Sequence, residues 1–112
     1  MRKGSLPRVS ILIPTRDRPK FLKQLLSAIY HQTYPRDLLE LVIIDDGRHS
    51  IAHILPSSGI KLIYQYLDTP ITIGDKRQQL KTLATGDIMV CMDDDDYYPP
   101  NSCLLYTSPS PR

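Results

Sequence analysis

The sequence predicts one small α/β domain with a mostly parallel sheet and helices on both of its faces. The length of 112 residues, of which 41% are hydrophobic and 23% charged, is ordinary for a small globular domain. Short runs of β-branched and apolar residues alternate along the chain with segments of helical periodicity. Because strands that alternate with helices form parallel sheets, we expect a doubly covered, Rossmann-like sheet.

The first strand is predicted over residues 9–13, which are apolar on both faces like a central parallel strand. Pro14 ends it. We expect Asp17 to cap the following helix, whose first turn tolerates Pro19, and Pro35 to stop that helix. The buried face of the helix is expected to carry the residues at three-and-four spacing, namely Phe21, Leu22, Leu25, Leu26 and Ile29.

The second strand is predicted over residues 39–44 and runs directly into Asp45 and Asp46. One or two helical turns fit residues 49–55. Residues 60–67 alternate well enough for a third strand, which we place at an edge of the sheet.

Residues 75–84 are predicted as a helix that packs through Leu80, Leu83 and Ala84 and ends at Gly86. The fourth strand, over residues 88–92, leads into four consecutive aspartates at residues 93–96. Three of the four strands therefore end in polar or acidic groups.

Charge and composition exclude several classes of function. The net charge is +2 and no Lys/Arg block exceeds two residues, so we expect neither nucleic acid nor an anionic membrane as a partner. The longest apolar runs fall far short of the roughly 20 residues of a membrane span. The start of the chain lacks the apolar region of a signal peptide, and Cys91 and Cys103 match no metal spacing, so we expect the protein in a reducing cytoplasm. Cys91 lies in the fourth predicted strand, where we expect it to be a small core residue. The three histidines are interpreted as ordinary packing or surface residues.

The last ten residues, 103–112, resemble the translation of a transposon-end sequencing adaptor; a natural Ser/Pro-rich linker is the alternative. We therefore assign residues 1–102 to the domain and residues 103–112 to a non-native tail. An interrupted reading frame implies that the parent protein is longer and that the domain is truncated on its C-terminal side.

The acidic run after the fourth strand predicts a divalent-cation site. In an extended chain Asp93 and Asp95 point one way while Asp94 and Asp96 point the other, and a cation relieves the repulsion between neighbouring carboxylates. Oxygen ligands of this kind suit Mg²⁺ or Mn²⁺. A solvated acidic loop is the alternative, but the position directly after a buried strand, where α/β sheets bind ligands, favours the metal site.

Three motifs in order resemble those of family 2 glycosyltransferases with the GT-A fold. They are residues 9–15 (VSILIPT), residues 41–47 (LVIIDDG) and residues 86–96 (GDIMVCMDDDD), and with the helices between them they cover essentially everything before the tail. The resemblance implies that Pro14, Thr15 and Asp17 border the nucleotide base. It also implies that Asp45 or Asp46 holds the base or ribose.

The same resemblance implies a DxD pair, with Asp95 as the direct metal ligand and Asp93 as the ribose or metal-water contact; Asp94 is placed with the nucleotide-sugar-binding residues. Lys76 and Arg77 lie where the family often has a Gly-x-x-Arg-Asn segment, although Gln78 stands where Asn is common. Cations at a helix start suit diphosphate oxygens or the base, and an ordinary exposed helix would carry the same charges. Tyr97 and Tyr98 suit either the sugar pocket or simple packing.

By this resemblance the parent enzyme transfers a sugar from a nucleoside diphosphate sugar, for which we expect UDP, to an acceptor hydroxyl on a glycan, lipid or protein. The reaction is expected to be metal-assisted and inverting, with its catalytic base downstream of Pro100. The chain itself is then expected to bind donor and metal without turnover.

Two other classes of function fit the sequence less well. Sugar nucleotidyltransferases need a Gly-rich loop after the first strand, which residues 13–16 (IPTR) do not supply. A non-enzymatic, Mg-binding receiver-like signalling domain needs its acidic pair after the first strand, whereas here the pair follows the second.

Overall fold

The computed structural model describes residues 6–55 and 59–92. In this part of the chain four parallel strands form one sheet in the order β3-β2-β1-β4. The elements are β1 (Val9–Thr15), α1 (Pro19–Tyr30), a 3-10 turn (Arg36–Leu38), β2 (Leu39–Asp45), a 3-10 turn (Ala52–Ile54), β3 (Lys61–Tyr66), α2 (Ile73–Leu83) and β4 (Ile88–Cys91). The predicted α/β class and the edge position of the third strand are confirmed.

The two helices cover opposite faces of the sheet, as the sequence predicts. Alternate residues of β1 separate the faces: Ile11 and Ile13 belong to the core cluster that contains the buried side of α1, and Leu12 belongs to the cluster that contains Leu80 of α2. The central strands β1 and β2 are buried along their whole length. The polar residues at the ends of β1 and β2 are therefore attached to the buried centre of the sheet.

Helix α1 differs from its prediction at both ends and on one side. It ends at Tyr30, before Pro35, and its N-cap is Arg18 without a side-chain hydrogen bond. Phe21 is 45% exposed, because at 100° per residue it lies roughly 90° from the centre of the stripe formed by the other four apolar residues. The Arg18 guanidinium lies 5.9 Å from the centre of the Phe21 ring instead.

The core position expected for Cys91 is wrong. Val90 points into the core on the α1 side, so its neighbours Met89 and Cys91 point to the other face, where α2 packs over β1 and β2. Met89 and Cys91 are both exposed. In the described part of the chain, no helix has both the length and the apolar character needed to cross a membrane.

Candidate functional site

The carboxyl ends of the strands meet where the strand order reverses. From β1 the chain builds β2 and β3 on one side and then returns to place β4 on the other. Open α/β sheets bind their ligands at such switch points. Thr15 and Asp45 lie opposite each other at the ends of β1 and β2, and the Met92 amide donates to the Leu12 carbonyl at 2.9 Å. The residue before Asp93 is therefore still beside β1.

Among the described residues at this edge, Asp46 is the side chain that accepts the most hydrogen bonds. Its carboxylate accepts hydrogen bonds from Arg16 Nε at 3.1 Å and Arg16 Nη2 at 2.6 Å. It also accepts from Lys76 Nζ at 2.6 Å and from the Ile71 amide at 2.9 Å. Burial by itself would raise the pKa of the Asp46 carboxyl, but these donors outweigh it and hold the pKa well below its usual range. Asp46 is therefore a fixed carboxylate that is neutralised by two cations.

Lys76 points into the protein from the first turns of α2. The residue is 4% exposed, and its ammonium contacts Asp46 and lies 3.5 Å from the Thr15 carbonyl. The neighbouring Arg77 is exposed. Thr72 starts this helix, since its hydroxyl accepts the Asp75 amide at 3.1 Å. The donor contacts expected for Lys76 and Arg77 stay predictions, and the ion pair of Lys76 with Asp46 is a contact that sequence analysis missed.

Asp45 fixes the loop that follows β2. One of its carboxylate oxygens accepts a hydrogen bond from the Gly47 amide at 2.9 Å, and the other accepts one from the Tyr64 hydroxyl at 3.0 Å. The residue is 1% exposed. Burial raises the pKa of Tyr64, whose hydroxyl also accepts the Ile51 amide at 3.1 Å. Tyr66 donates to the Gly47 carbonyl at 2.9 Å. The two tyrosines of β3 thus hold this loop, a role that the sequence analysis did not predict.

Asp17 does not cap α1, contrary to the sequence expectation. It has a left-handed backbone, with φ of 54°, and its carboxylate accepts the Arg48 amide at 2.8 Å. Because the parallel register pairs Thr15 with Asp45, Asp17 comes to lie beside Gly47. A Cβ atom at Gly47 would lie 2.7 Å from the Asp17 amide nitrogen, so only glycine fits between the two loops.

The predicted metal ligands Asp93 and Asp95, together with Asp94, Tyr97 and Tyr98, lie outside the described residues. Within residues 6–55 and 59–92, no group of three His, Cys, Asp or Glu residues is arranged to hold a metal ion. Asp46 does not fit a metal either, because two cationic side chains already occupy its oxygens. The carboxylates after β4 are the donor set whose chemistry fits Mg²⁺ or Mn²⁺.

Both sequence comparisons match this chain to glycosyltransferases. The family model of glycosyl transferase family 2 matches residues 10–106, a stretch that extends four residues into the adaptor-like tail. The Bacillus subtilis protein "Probable glycosyltransferase YdaM" is 39% identical over 42 residues, which are 38% of this chain and 10% of YdaM. These matches favour the glycosyltransferase interpretation over the receiver-like alternative.

Two solved structures have the same fold. The mannosyltransferase PcManGT of Pyrobaculum calidifontis, in complex with GDP-Man and Mn²⁺, superposes with a TM-score of 0.75 at 25% identity and covers 94% of this chain. Residues 1–349 of Staphylococcus aureus TarS, in complex with UDP-GlcNAc, superpose with a TM-score of 0.76 at 25% identity and cover 88% of this chain. This chain spans 32% of the first structure and 29% of the second.

Proposed function

The chain belongs to glycosyl transferase family 2, and from this premise we propose that it forms the donor-binding part of an enzyme that transfers a sugar from a nucleoside diphosphate sugar to an acceptor hydroxyl. The observation that supports this most directly is the meeting of Thr15, Asp45 and Asp46 at the switch point, beside the strand that leads into Asp93. We propose UDP as the nucleotide.

The proposed nucleotide site lies over the ends of β1 and β2. Asp45 and Asp46, which would form its walls, are both 1% exposed and are hydrogen-bonded to neighbouring backbone amides. A preformed polar site loses little entropy when it binds a ligand. The residues that we propose to surround the donor are Pro14, Thr15, Asp17, Asp45, Asp46, Lys76, Arg77, Asp93 and Asp94.

We further propose that Asp93 and Asp95 hold Mn²⁺ or Mg²⁺. When bound, the cation would neutralise the charge that develops on the departing diphosphate. The acidic run follows Met92 in sequence, and the Met92 amide donates to the Leu12 carbonyl of β1, which supports a metal site near the carboxyl ends of the strands. For an inverting transfer, the base that deprotonates the acceptor would come from chain beyond Pro100, and we propose that this chain binds the donor without turnover.

Titration calorimetry with UDP, in the presence and absence of Mn²⁺, tests the proposal. UDP is expected to bind weakly alone and more tightly with Mn²⁺, since the phosphates complete the coordination of a cation held by only two carboxylates. Asp95→Asn should remove the effect of Mn²⁺, and GDP in place of UDP tests the choice of nucleotide.

Asp87→Asn is the matched control, because Asp87 lies just before β4 and its carboxylate accepts the Arg8 amide at 3.1 Å, at the opposite end of the strand from the acidic run. This variant should bind UDP and Mn²⁺ like the parent chain. Equal UDP affinity with and without Mn²⁺, or an unchanged Mn²⁺ effect in Asp95→Asn, would contradict the proposed metal site.

A further inference from the structure

Positive charge is concentrated in the first third of the chain. Residues 1–36 contain eight Lys and Arg residues and one acidic residue, whereas residues 37–112 contain six Lys and Arg residues and eleven acidic residues. The net charge of +2 is therefore the sum of a basic part and an acidic part. Such a sum does not reveal whether one face of the protein carries enough positive charge to bind an anionic surface.

The basic part of the chain includes the solvent-exposed side of α1. Lys20 and Lys23 of this helix are exposed, and so is Arg18 directly before it. Residues 18–36 contain no Asp or Glu. Within the part of the chain that the structure describes, Lys20 and Lys23 form no ion pair with an acidic residue. Their charges are therefore not neutralised by the domain itself.

These cations do not stabilise the helix on which they lie. The N-terminus of a helix carries a partial positive charge and is stabilised by acidic residues. The first turn of α1 contains no acidic residue and includes Lys20. Asp17 precedes the helix, but its carboxylate accepts the Arg48 amide at 2.8 Å and lies 3.5 Å from the Arg48 Nε. A partner outside the domain gives these charges a role that the helix does not.

An exposed phenylalanine lies beside the cations. Phe21 is 45% exposed, and the Arg18 guanidinium lies over its ring. One exposed apolar side chain is ordinary on a protein surface. An aromatic ring next to several Lys and Arg side chains on one helix is, however, typical of helices that lie on membranes. In such helices the ring enters the boundary of the acyl chains and the cations meet the lipid phosphates.

We propose that the surface formed by Arg18, Lys20, Phe21 and Lys23, which we call the basic face, binds a membrane surface that contains anionic lipids. This differs from the expectation based on net charge, because the relevant charge is that of one face. α1 follows the carboxyl end of β1 after a short loop, so this binding brings the candidate site close to the bilayer. No residue of the basic face has a proposed role in nucleotide binding, so the inference does not rest on the proposed function.

Flotation of the chain with lipid vesicles tests the role of the charges. The chain is expected to float with vesicles of phosphatidylcholine and phosphatidylglycerol but not with vesicles of phosphatidylcholine alone, and NaCl should weaken the binding. Lys20→Gln and Lys23→Gln should each weaken it by about fivefold, the usual effect of one cation at an anionic membrane. Lys81→Gln is the matched control, because it removes the same charge from an exposed position on α2, across the sheet from α1.

A second pair of variants tests the aromatic ring. Phe21→Ser should weaken binding to the anionic vesicles by roughly fivefold to tenfold, since the ring loses about half of its burial energy. Met89→Ser is the control, because Met89 is also 45% exposed but lies on β4 and points away from the α1 face. Thermal melts check the fold of each variant. Lys20→Gln should keep or raise the melting temperature, since it removes a cation from a helix N-terminus.

Three results would overturn the inference. If the chain does not float with the anionic vesicles, the basic face does not bind a membrane. Equal losses in Lys20→Gln and Lys81→Gln would indicate that binding follows the net charge and not this face. Equal flotation with and without phosphatidylglycerol would indicate that lipid charge has no part in it. Each result leaves the proposed function intact, because UDP and Mn²⁺ binding is measured without lipid.

Discussion

Glu40→Gln is expected to destabilise the protein strongly at neutral pH and far less at pH 3. Glu40 lies near the start of β2, away from the candidate site, and is 2% exposed. Its carboxylate accepts hydrogen bonds from Ser10 Oγ at 2.8 Å, the Thr85 amide at 2.9 Å and Thr85 Oγ1 at 2.6 Å. The Lys61 ammonium lies 3.3 Å away. These contacts connect β1, β2, β3 and the residues before β4.

The pKa of Glu40 sets the size of the effect. Burial raises this pKa, but the hydrogen bonds from Thr85, Ser10 and Lys61 lower it by more than burial raises it. The net result is a fall in the pKa from 4.5 to about 2. Because the folded pKa is the lower one, the stabilisation is fully present above the unfolded value of 4.5 and is lost as the pH falls through that window toward 2. The difference corresponds to about 3 kcal/mol at neutral pH, of which about 1 kcal/mol remains at pH 3.

Urea denaturation at pH 7 and pH 3 measures this difference. The gap in unfolding free energy between the parent chain and Glu40→Gln should shrink by about 2 kcal/mol at the lower pH. Asp46 and the other acids are present in both proteins, so their contribution cancels in the subtraction. Asp68→Asn, which removes an exposed carboxylate, is the control and should show little effect at either pH. Equal gaps for Glu40→Gln at the two pH values would refute the reasoning.

Gly47→Ala should cost about 1–3 kcal/mol in unfolding free energy and weaken UDP binding, because its Cβ would strike the Asp17 backbone at 2.7 Å. Gly59→Ala, where none of the described residues lies within 4 Å of the new Cβ, should change the unfolding free energy by less than about 0.5 kcal/mol; equal losses for the two variants would contradict the close-approach explanation. Leu80→Ala should cost about 2–5 kcal/mol in urea denaturation, since Leu80 is 0% exposed, and a smaller loss would show that α2 contributes little to stability. Deletion of residues 103–112 should leave the melting temperature unchanged, and a clear drop would show that the tail packs on the domain.

Local patterns were sufficient for most of the fold. The apolar runs of β1 and β2 and the spacing of Leu22, Leu25, Leu26 and Ile29 predicted the elements correctly, because a strand or helix with one buried environment repeats that environment in its sequence. The prediction that Phe21 is buried was wrong because Phe21 lies at the edge of the apolar stripe, where burial depends on the width of the surface that the helix covers. The core position predicted for Cys91 was wrong because the position of α2 over the sheet decides which face of β4 is covered.

The candidate site was predictable only in its location. The rule that parallel sheets bind ligands beyond their carboxyl ends selected Thr15, Asp45 and Asp46 from the sequence. The partners of these residues were not predictable. Lys76 is separated from Asp46 by 30 residues, and a lysine in the first turns of a helix carries no sequence signal that distinguishes a buried ion pair from an exposed charge.

By itself, therefore, the sequence determined the α/β class, the order of the elements and the edge of the sheet that carries polar groups, since these depend on periodicity and on position along the chain. Only the tertiary structure decided which of those groups are available to a ligand. The parallel register placed Asp17 against Gly47, so that it does not cap α1. The packing of α2 on the sheet brought the Lys76 ammonium to the Asp46 carboxylate. The physical reason is that a carboxylate's role depends on the donors that surround it, and these come from segments that are distant in sequence and adjacent only in the folded sheet.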